Sequence, residues 1–251
     1  IRNETGDRVE GVVGVFHDVT DIRHLDRVRR DFVANVSHEF KTPLTSIRGY
    51  SETMLSDPGS ASNKEFSEVI YRNAGYLEAL VNDLLVLARL ESEPPSSSER
   101  VNVQSIVEEL VILRERSVSE ALLKLEVDCP SLEVEIDPTR LSTALSNLLD
   151  NAISYNRPAG QVRISVRLEG SILFVAVSDS GFGISNSELS RIFERFYRVD
   201  RARSRSRGGT GLGLAIARHA VESQGGTLAV ESTVGSGSTF TISLPVARSA
   251  G

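Results

Sequence analysis

Cysteine is almost absent from the 251 residues: Cys129 stands alone, so no internal disulfide can form, and a small buried side chain is its simplest reading. Long apolar runs are missing too. The longest, Ile172 to Val177, falls far short of the ~20 residues that a bilayer-spanning helix needs, and no signal peptide opens the chain. Positive charge is in deficit, with a formal net charge of −6, which argues against a protein built to coat nucleic acid or an anionic membrane. Two phosphate-loop wordings are lacking as well. There is no Gly-x-Gly-x-x-Gly and no Gly-Lys-Ser/Thr step, so Rossmann and P-loop readings of the glycine-rich turn near residue 210 fail. What is present is an ordinary globular mix, 40% hydrophobic, which can build a sizeable core.

Residues 1–20 read as two short strands around a Gly6-Asp7 turn, with Val9, Gly11, Val13 and Val15 alternating. Two strands alone are barely stable, so the segment looks like the end of a truncated domain, with room upstream for a sensor and membrane spans. The piece itself is expected to be cytoplasmic, without direct membrane contact. Arginines 23, 27, 29 and 30 on the helix that follows read as a solvated coiled-coil flank rather than a lipid-binding patch.

From residue 21 to about 56, Ile22, Leu25, Phe32, Val36, Phe40, Leu44 and Ile47 recur at spacings of three and four, the period of an amphipathic helix. After an Asp57-Pro58-Gly59-Ser60 turn, a second helix runs to about residue 91 with Phe66, Val69, Ile70, Leu77, Leu80, Val81, Leu84 and Leu87 on one side. A two-helix hairpin leaves an apolar face uncovered, so the sequence predicts a homodimer in which two hairpins form a four-helix bundle. Residues 93–99, with Pro94, Pro95 and three serines, read as a linker. Beyond it, strand-like runs at 124–127, 133–136, 162–168, 172–178, 227–232 and 239–244 alternate with helical patterns near 102–117, 138–154, 186–193 and 211–224. The predicted architecture is α+β and multidomain: a helical hairpin over 21–92, then an α/β sandwich over 100–247 with helices on one face of a sheet.

Four clusters could carry chemistry. Ser37-His38-Glu39-Phe40-Lys41-Thr42-Pro43 lies in the first helix. A lone helical histidine is by default a packed or solvated residue, but here Pro43 removes a backbone hydrogen bond in a helix interior. Glu39 can take a proton from one imidazole nitrogen while the other attacks an electrophile. Thr42, four residues from His38, lies on the same face. Asn147-Leu148-Leu149-Asp150-Asn151-Ala152 puts two amides four residues apart on one helical face, suited as neutral oxygen ligands to Mg²⁺ already held by phosphates. Asp179-Ser180-Gly181-Phe182-Gly183-Ile184 sets an acceptor at the end of an apolar strand, ahead of a flexible turn that lets backbone approach a ring. Arg207-Gly208-Gly209-Thr210-Gly211-Leu212-Gly213-Leu214 opens a helix, where free N–H groups and the helix dipole can cradle phosphate.

Together the four clusters resemble the boxes of sensor histidine kinases of two-component systems, especially the phosphate-sensing type. The first is similar to the phospho-acceptor box, with Phe40 where Leu is usual, and Asp18-Val19-Thr20 resembles the end of a PAS domain. The resemblance implies a fold shared with the gyrase and Hsp90 ATPases and the cofactors ATP and Mg²⁺. His38 would accept the phosphoryl group, with Glu39 and Thr42 assisting. Asn151 would hold the metal, Asn147 the phosphates and Asp179 the adenine, while Tyr155, Gly181, Gly183, Ile184, Gly209, Thr210, Gly211, Leu212, Gly213, Leu214 and Thr239 complete the nucleotide site. Phe193 to Arg198 resembles the F box, and the arginines from 198 to 207 read as a lid whose Arg198 reaches the γ-phosphate. One departure stands out: Ser154 occupies the place of a phosphate-contacting lysine. The implied partner is a response regulator, whose aspartate takes the phosphoryl group and whose dephosphorylation Thr42 and Glu39 would also support. The rival readings are a plain ATPase of the gyrase and Hsp90 type and a nucleotide-binding scaffold without kinase activity.

Overall fold

The computed structural model describes residues 20–95, 98–199 and 209–248. The expected strand pair at 1–19 and the arginine-rich segment at 200–208 lie outside the described residues. The chain divides into two compact units, residues 1–42 and 43–251.

The described part of the first unit is helical. Helix α1 (Thr20–Ser56) begins there and continues beyond it with Pro43 in its interior. Ser37 and Thr42 each turn their hydroxyl back onto the helix, Ser37 Oγ donating to the Val33 carbonyl at 2.9 Å and Thr42 Oγ1 to that of His38 at 3.4 Å. His38 is exposed.

In the second unit the end of α1 packs on helix α2 (Asn63–Ser92), Tyr50 and Phe66 stacking with ring centroids 5.2 Å apart. Asn63 closes the intervening turn by donating to the carbonyls of Asp57 and Pro58.

The rest is an α/β sandwich. Its main sheet has five strands: β2 (Lys124–Asp128), β4 (Gln161–Glu169), β5 (Ile172–Asp179), β6 (Thr227–Thr233) and β7 (Gly237–Pro245), in the order β2-β4-β5-β7-β6. Only the β2–β4 pairing is parallel. Side chains alternate across a strand, so Val162, Ile164 and Val166, Leu173, Val175 and Val177, and Phe240, Ile242 and Leu244 all point to one face. Helices α3 (Val103–Ile112), α5 (Pro138–Ser154) and α7 (Gly213–Glu222) cover that face and share its core.

A second, smaller sheet was not anticipated. It joins β1 (Glu99–Asn102), β3 (Glu133–Ile136) and β8 (Ala247–Arg248), antiparallel throughout. The expected linker is therefore shorter, since Glu99 already pairs with Ile136. The single helix expected over 102–117 is two, α3 and α4 (Glu115–Glu120), broken at Leu113-Arg114. The one expected over 186–193 shrinks to a single turn, α6 (Asn186–Leu189).

Capping fixes where α3 and α5 start. Asn102 Oδ1 accepts from the Gln104 amide at 2.9 Å, and Asp137 Oδ1 from the Arg140 amide at 3.1 Å, with Pro138 in the first helical turn. Asp137 and Arg140 also form a buried ion pair, 3% and 5% exposed in their side chains. Arg140 satisfies its remaining donors on Ser223 Oγ and on the Glu93 carbonyl just past α2, as a buried charge must.

Candidate functional site

Helix α5 presents two stripes. Leu141, Ala144, Leu145, Leu148, Leu149 and Ala152 are buried against the sheet. Asn147, Asp150, Asn151 and Ser154, spaced by three and four, form the other stripe and line a cleft of about 390 Å³. That volume lies in the range of small-molecule sites. Asn147 ties its Nδ2 to the Thr143 carbonyl at 2.9 Å, and its oxygen faces Gly213 at the start of α7. The Asn151 amide has no hydrogen-bond partner among the described residues. Such an uncommitted neutral oxygen is the kind of ligand a phosphate-bound divalent cation takes.

The end of β5 and the turn after it supply the second wall. Asp179 Oδ1 accepts from the Gly181 amide at 2.8 Å. Burial raises the Asp179 carboxyl above its ordinary value, against the amide bonds from Gly181 and Ser238 that lower it. Tyr155, Phe182, Gly183 and Ile184 line the same wall. Gly181 lies behind it, where a Cβ would run into the Tyr155 carbonyl.

The third wall is the glycine turn leading into α7. Gly209, Thr210, Gly211, Gly213 and Leu214 all line the cleft. Gly211 has φ +78, a left-handed conformation few other residues adopt. A Cβ on Gly213 would lie 2.7 Å from Asn147 Oδ1, so the start of α7 and the amide stripe of α5 approach as closely as glycine allows. Helix-start amides at such a spot favour anions. Arg198 borders the same space with its Nε and Nη2 buried and without hydrogen-bond partners among the described residues, its guanidinium 5.6 Å from the Tyr76 ring centroid. Orphaned guanidinium donors in a cleft fit an anionic ligand.

Besides Gly181, two expected residues do not reach the cleft. Leu212 is fully buried in the core. Thr239 falls on the opposite face of β7, its hydroxyl 2.9 Å from that of Ser178, and strand alternation gives its place in the wall to Ser238 and Phe240. Ala79 and Asp83 of α2 were missed. Both line the cleft, and Thr210 Oγ1 donates to Asp83 Oδ2 at 2.5 Å. Burial raises the Asp83 carboxyl above its ordinary value; the Thr210 bond works against this, and the charge of Asp150 adds to it. No local motif marks Asp83, because its role comes from the docking of α2. That docking also uses the Leu90 carbonyl, 3.1 Å from His219 Nε2, and an Arg195–Glu91 ion pair. His38, Glu39 and Thr42 belong to the other unit.

Comparison with known proteins matches two families to successive parts of the chain. Residues 28–93 match the His Kinase A (phospho-acceptor) domain, and residues 136–248 match the histidine kinase-, DNA gyrase B- and HSP90-like ATPase family. The chain is 42% identical to the sensor-like histidine kinase SenX3 of Mycobacterium tuberculosis over 95% of its own length and 59% of that protein. To the sensor histidine kinase WalK of Bacillus subtilis it is 37% identical, over 98% of the chain and 41% of the relative. The structure of the Acinetobacter baumannii histidine kinase AdeS superposes with a TM-score of 0.68 at 27% identity, over 84% of this chain and 98% of that one. The chain thus spans about half the length of the curated relatives it matches.

Proposed function

This chain belongs to the histidine kinase family, and on that premise we propose that it binds ATP with Mg²⁺ in the cleft and transfers the γ-phosphoryl group to His38. The observation that carries the proposal is the convergence of the Asn147–Asn151 stripe, Asp179 and the Gly209–Leu214 turn on one cleft where the buried donors of Arg198 lack a hydrogen-bond partner among the described residues. Asp179, a carboxylate held in the wall by the Gly181 and Ser238 amides, suits the adenine amino group. The α7 turn and Asn147 suit the phosphates, and Arg198 the γ-phosphoryl charge.

Asn151 would hold Mg²⁺, which when bound neutralises charge on the phosphate oxygens. A neutral His38 nitrogen attacks phosphorus in line, the bond to the ADP oxygen breaks, and Glu39 accepts the imidazole proton. The phosphohistidine then donates to an aspartate of a response regulator, and Thr42 with Glu39 supports that partner's dephosphorylation. A homodimer through the hairpin fits the exposed Leu44, Leu55, Val81 and Leu85. Among the described residues no helix is long and apolar enough to cross a membrane.

The test is incubation with γ-labelled ATP and Mg²⁺. An acid-labile, base-stable label is expected on the wild type and none on His38→Gln or Asn151→Ala. Label that persists without His38 overturns the proposal, and bound ATP without any label points to an ATPase or scaffold.

A further inference from the structure

Asp150 presents a problem for any nucleotide site. It lies on the α5 stripe that lines the cleft, between the two asparagines and one turn before Ser154, where the resemblance leads one to expect a lysine. A bare carboxylate there repels phosphate, and its charge is felt inside the cleft, since Asp150 is one of the groups that raise the Asp83 carboxyl. The structure answers this from outside the cleft. Arg114, in the break between α3 and α4, forks onto Asp150, its Nε 2.9 Å from Oδ1 and its Nη2 2.8 Å from Oδ2. The guanidinium is held along its whole edge: Nη1 donates to the Leu110 carbonyl at 3.2 Å, and Nη2 also donates to the Ser146 carbonyl at 3.3 Å and to the Ser146 hydroxyl. Its side chain is 11% exposed, against 61% for Asp150. Exposed ion pairs usually contribute little because two flexible chains must be ordered. Here one partner is already fixed by three other acceptors, and the bidentate geometry is the strong form.

We propose that Arg114 is a positioning and charge-cancelling residue of the nucleotide site, one that never touches the nucleotide but pins Asp150 and neutralises it so that the α5 stripe accepts triphosphate without a lysine at position 154. The inference rests on the ATP reading above. It also explains why α3 and α4 are separate helices: the break at Leu113-Arg114 aims this side chain at α5.

The two partners predict opposite effects on binding, although both substitutions lose the same ion pair. Binding of AMP-PNP with Mg²⁺ to the full chain is measured by calorimetry at low and high salt. Arg114→Met, which leaves an uncancelled carboxylate at the rim, is expected to bind about tenfold more weakly. Asp150→Asn leaves the guanidinium uncancelled and is expected to bind about threefold more tightly. The double variant is expected within about twofold of wild type, and all differences shrink as salt screens the exposed side of the pair. A clamp that merely holds α3 on α5 would weaken binding alike in both single variants and in the double, and that pattern overturns the inference, as does unchanged binding in Arg114→Met. Should Arg114→Met not fold, Asp150→Asn decides alone, weaker or unchanged binding being the overturning result. A wild type that binds no AMP-PNP overturns the ATP reading itself, and this inference with it.

Discussion

Gly183 and Gly170 have nearly the same backbone, φ +69 and +62, and opposite surroundings. A Cβ on Gly183 would collide with the Thr233 carbonyl, whereas nothing lies within 4 Å of one on Gly170. Gly170→Ala is therefore expected to cost only the left-handed penalty, about 1–2 kcal/mol. Gly183→Ala adds a clash with backbone that cannot rotate away, and should cost more than about 3 kcal/mol and weaken nucleotide binding. Urea denaturation of the two variants checks this, and equal losses would refute the role given to the Thr233 approach. At this scale the sequence was informative where residue type alone constrains chemistry. Asp179, Asn147 and Asn151 were legible because acceptor, spacing and position on an element could all be read along the chain. Thr239 was misread because its face depends on the register of β7 against β5, which places Ser238 opposite Asp179 and Thr239 opposite Ser178.

Helix α5 joins the core to the site, and its period shows both stripes in the sequence. Leu148 is fully buried between Asn147 and the remainder of the second cluster. Leu148→Ala is expected to cost about 2–5 kcal/mol by leaving a cavity. It should also weaken AMP-PNP binding, because Asn147 and Asn151 are carried on the same two turns. Denaturant titration and calorimetry on one preparation measure both, and a stability loss without any loss of binding would show the two stripes to be independent. Elements with weaker periodicity were harder to read. Glu99-Arg100-Val101-Asn102 shows no clean alternation, and Ala247-Arg248 is too short to show one, yet both pair with β3. Their strand character comes from Val134 and Ile136, buried in the core, which need backbone partners on either side. The break after α3 was hidden because Leu113 and Arg114 continue a helical pattern, while the partner of Arg114 at the break lies thirty-six residues away.

At the scale of the molecule, α2 is fastened to the nucleotide domain by buried groups, although the sequence between them reads as a free linker. Arg140 holds the Glu93 carbonyl, and Asp83 takes the Thr210 hydroxyl. Because the folded-state pKa of Asp83 is raised, its contribution to docking is complete below the ordinary value of 3.8 and is lost as pH rises through the folded value. Asp83→Asn keeps an acceptor for Thr210 and removes the buried charge. At neutral pH it is expected to slow hydrogen exchange in the last turns of α2 several-fold and to lack the acid-side pH dependence expected of the wild type. Faster exchange in the variant would mean that the carboxylate is itself the better partner.

Ala79 and Asp83 make the cleft a composite of hairpin and nucleotide domain, which has a practical consequence for inhibitor discovery. A compound library screened against residues 100–247 alone would be ranked on a cavity missing one wall. Hits with a bulky group toward Thr210 would score well there and be rejected by the longer chain. Ligands carrying a donor for the Asp83 carboxylate would be undervalued, although selectivity over ATPases without such a helix would come from that contact.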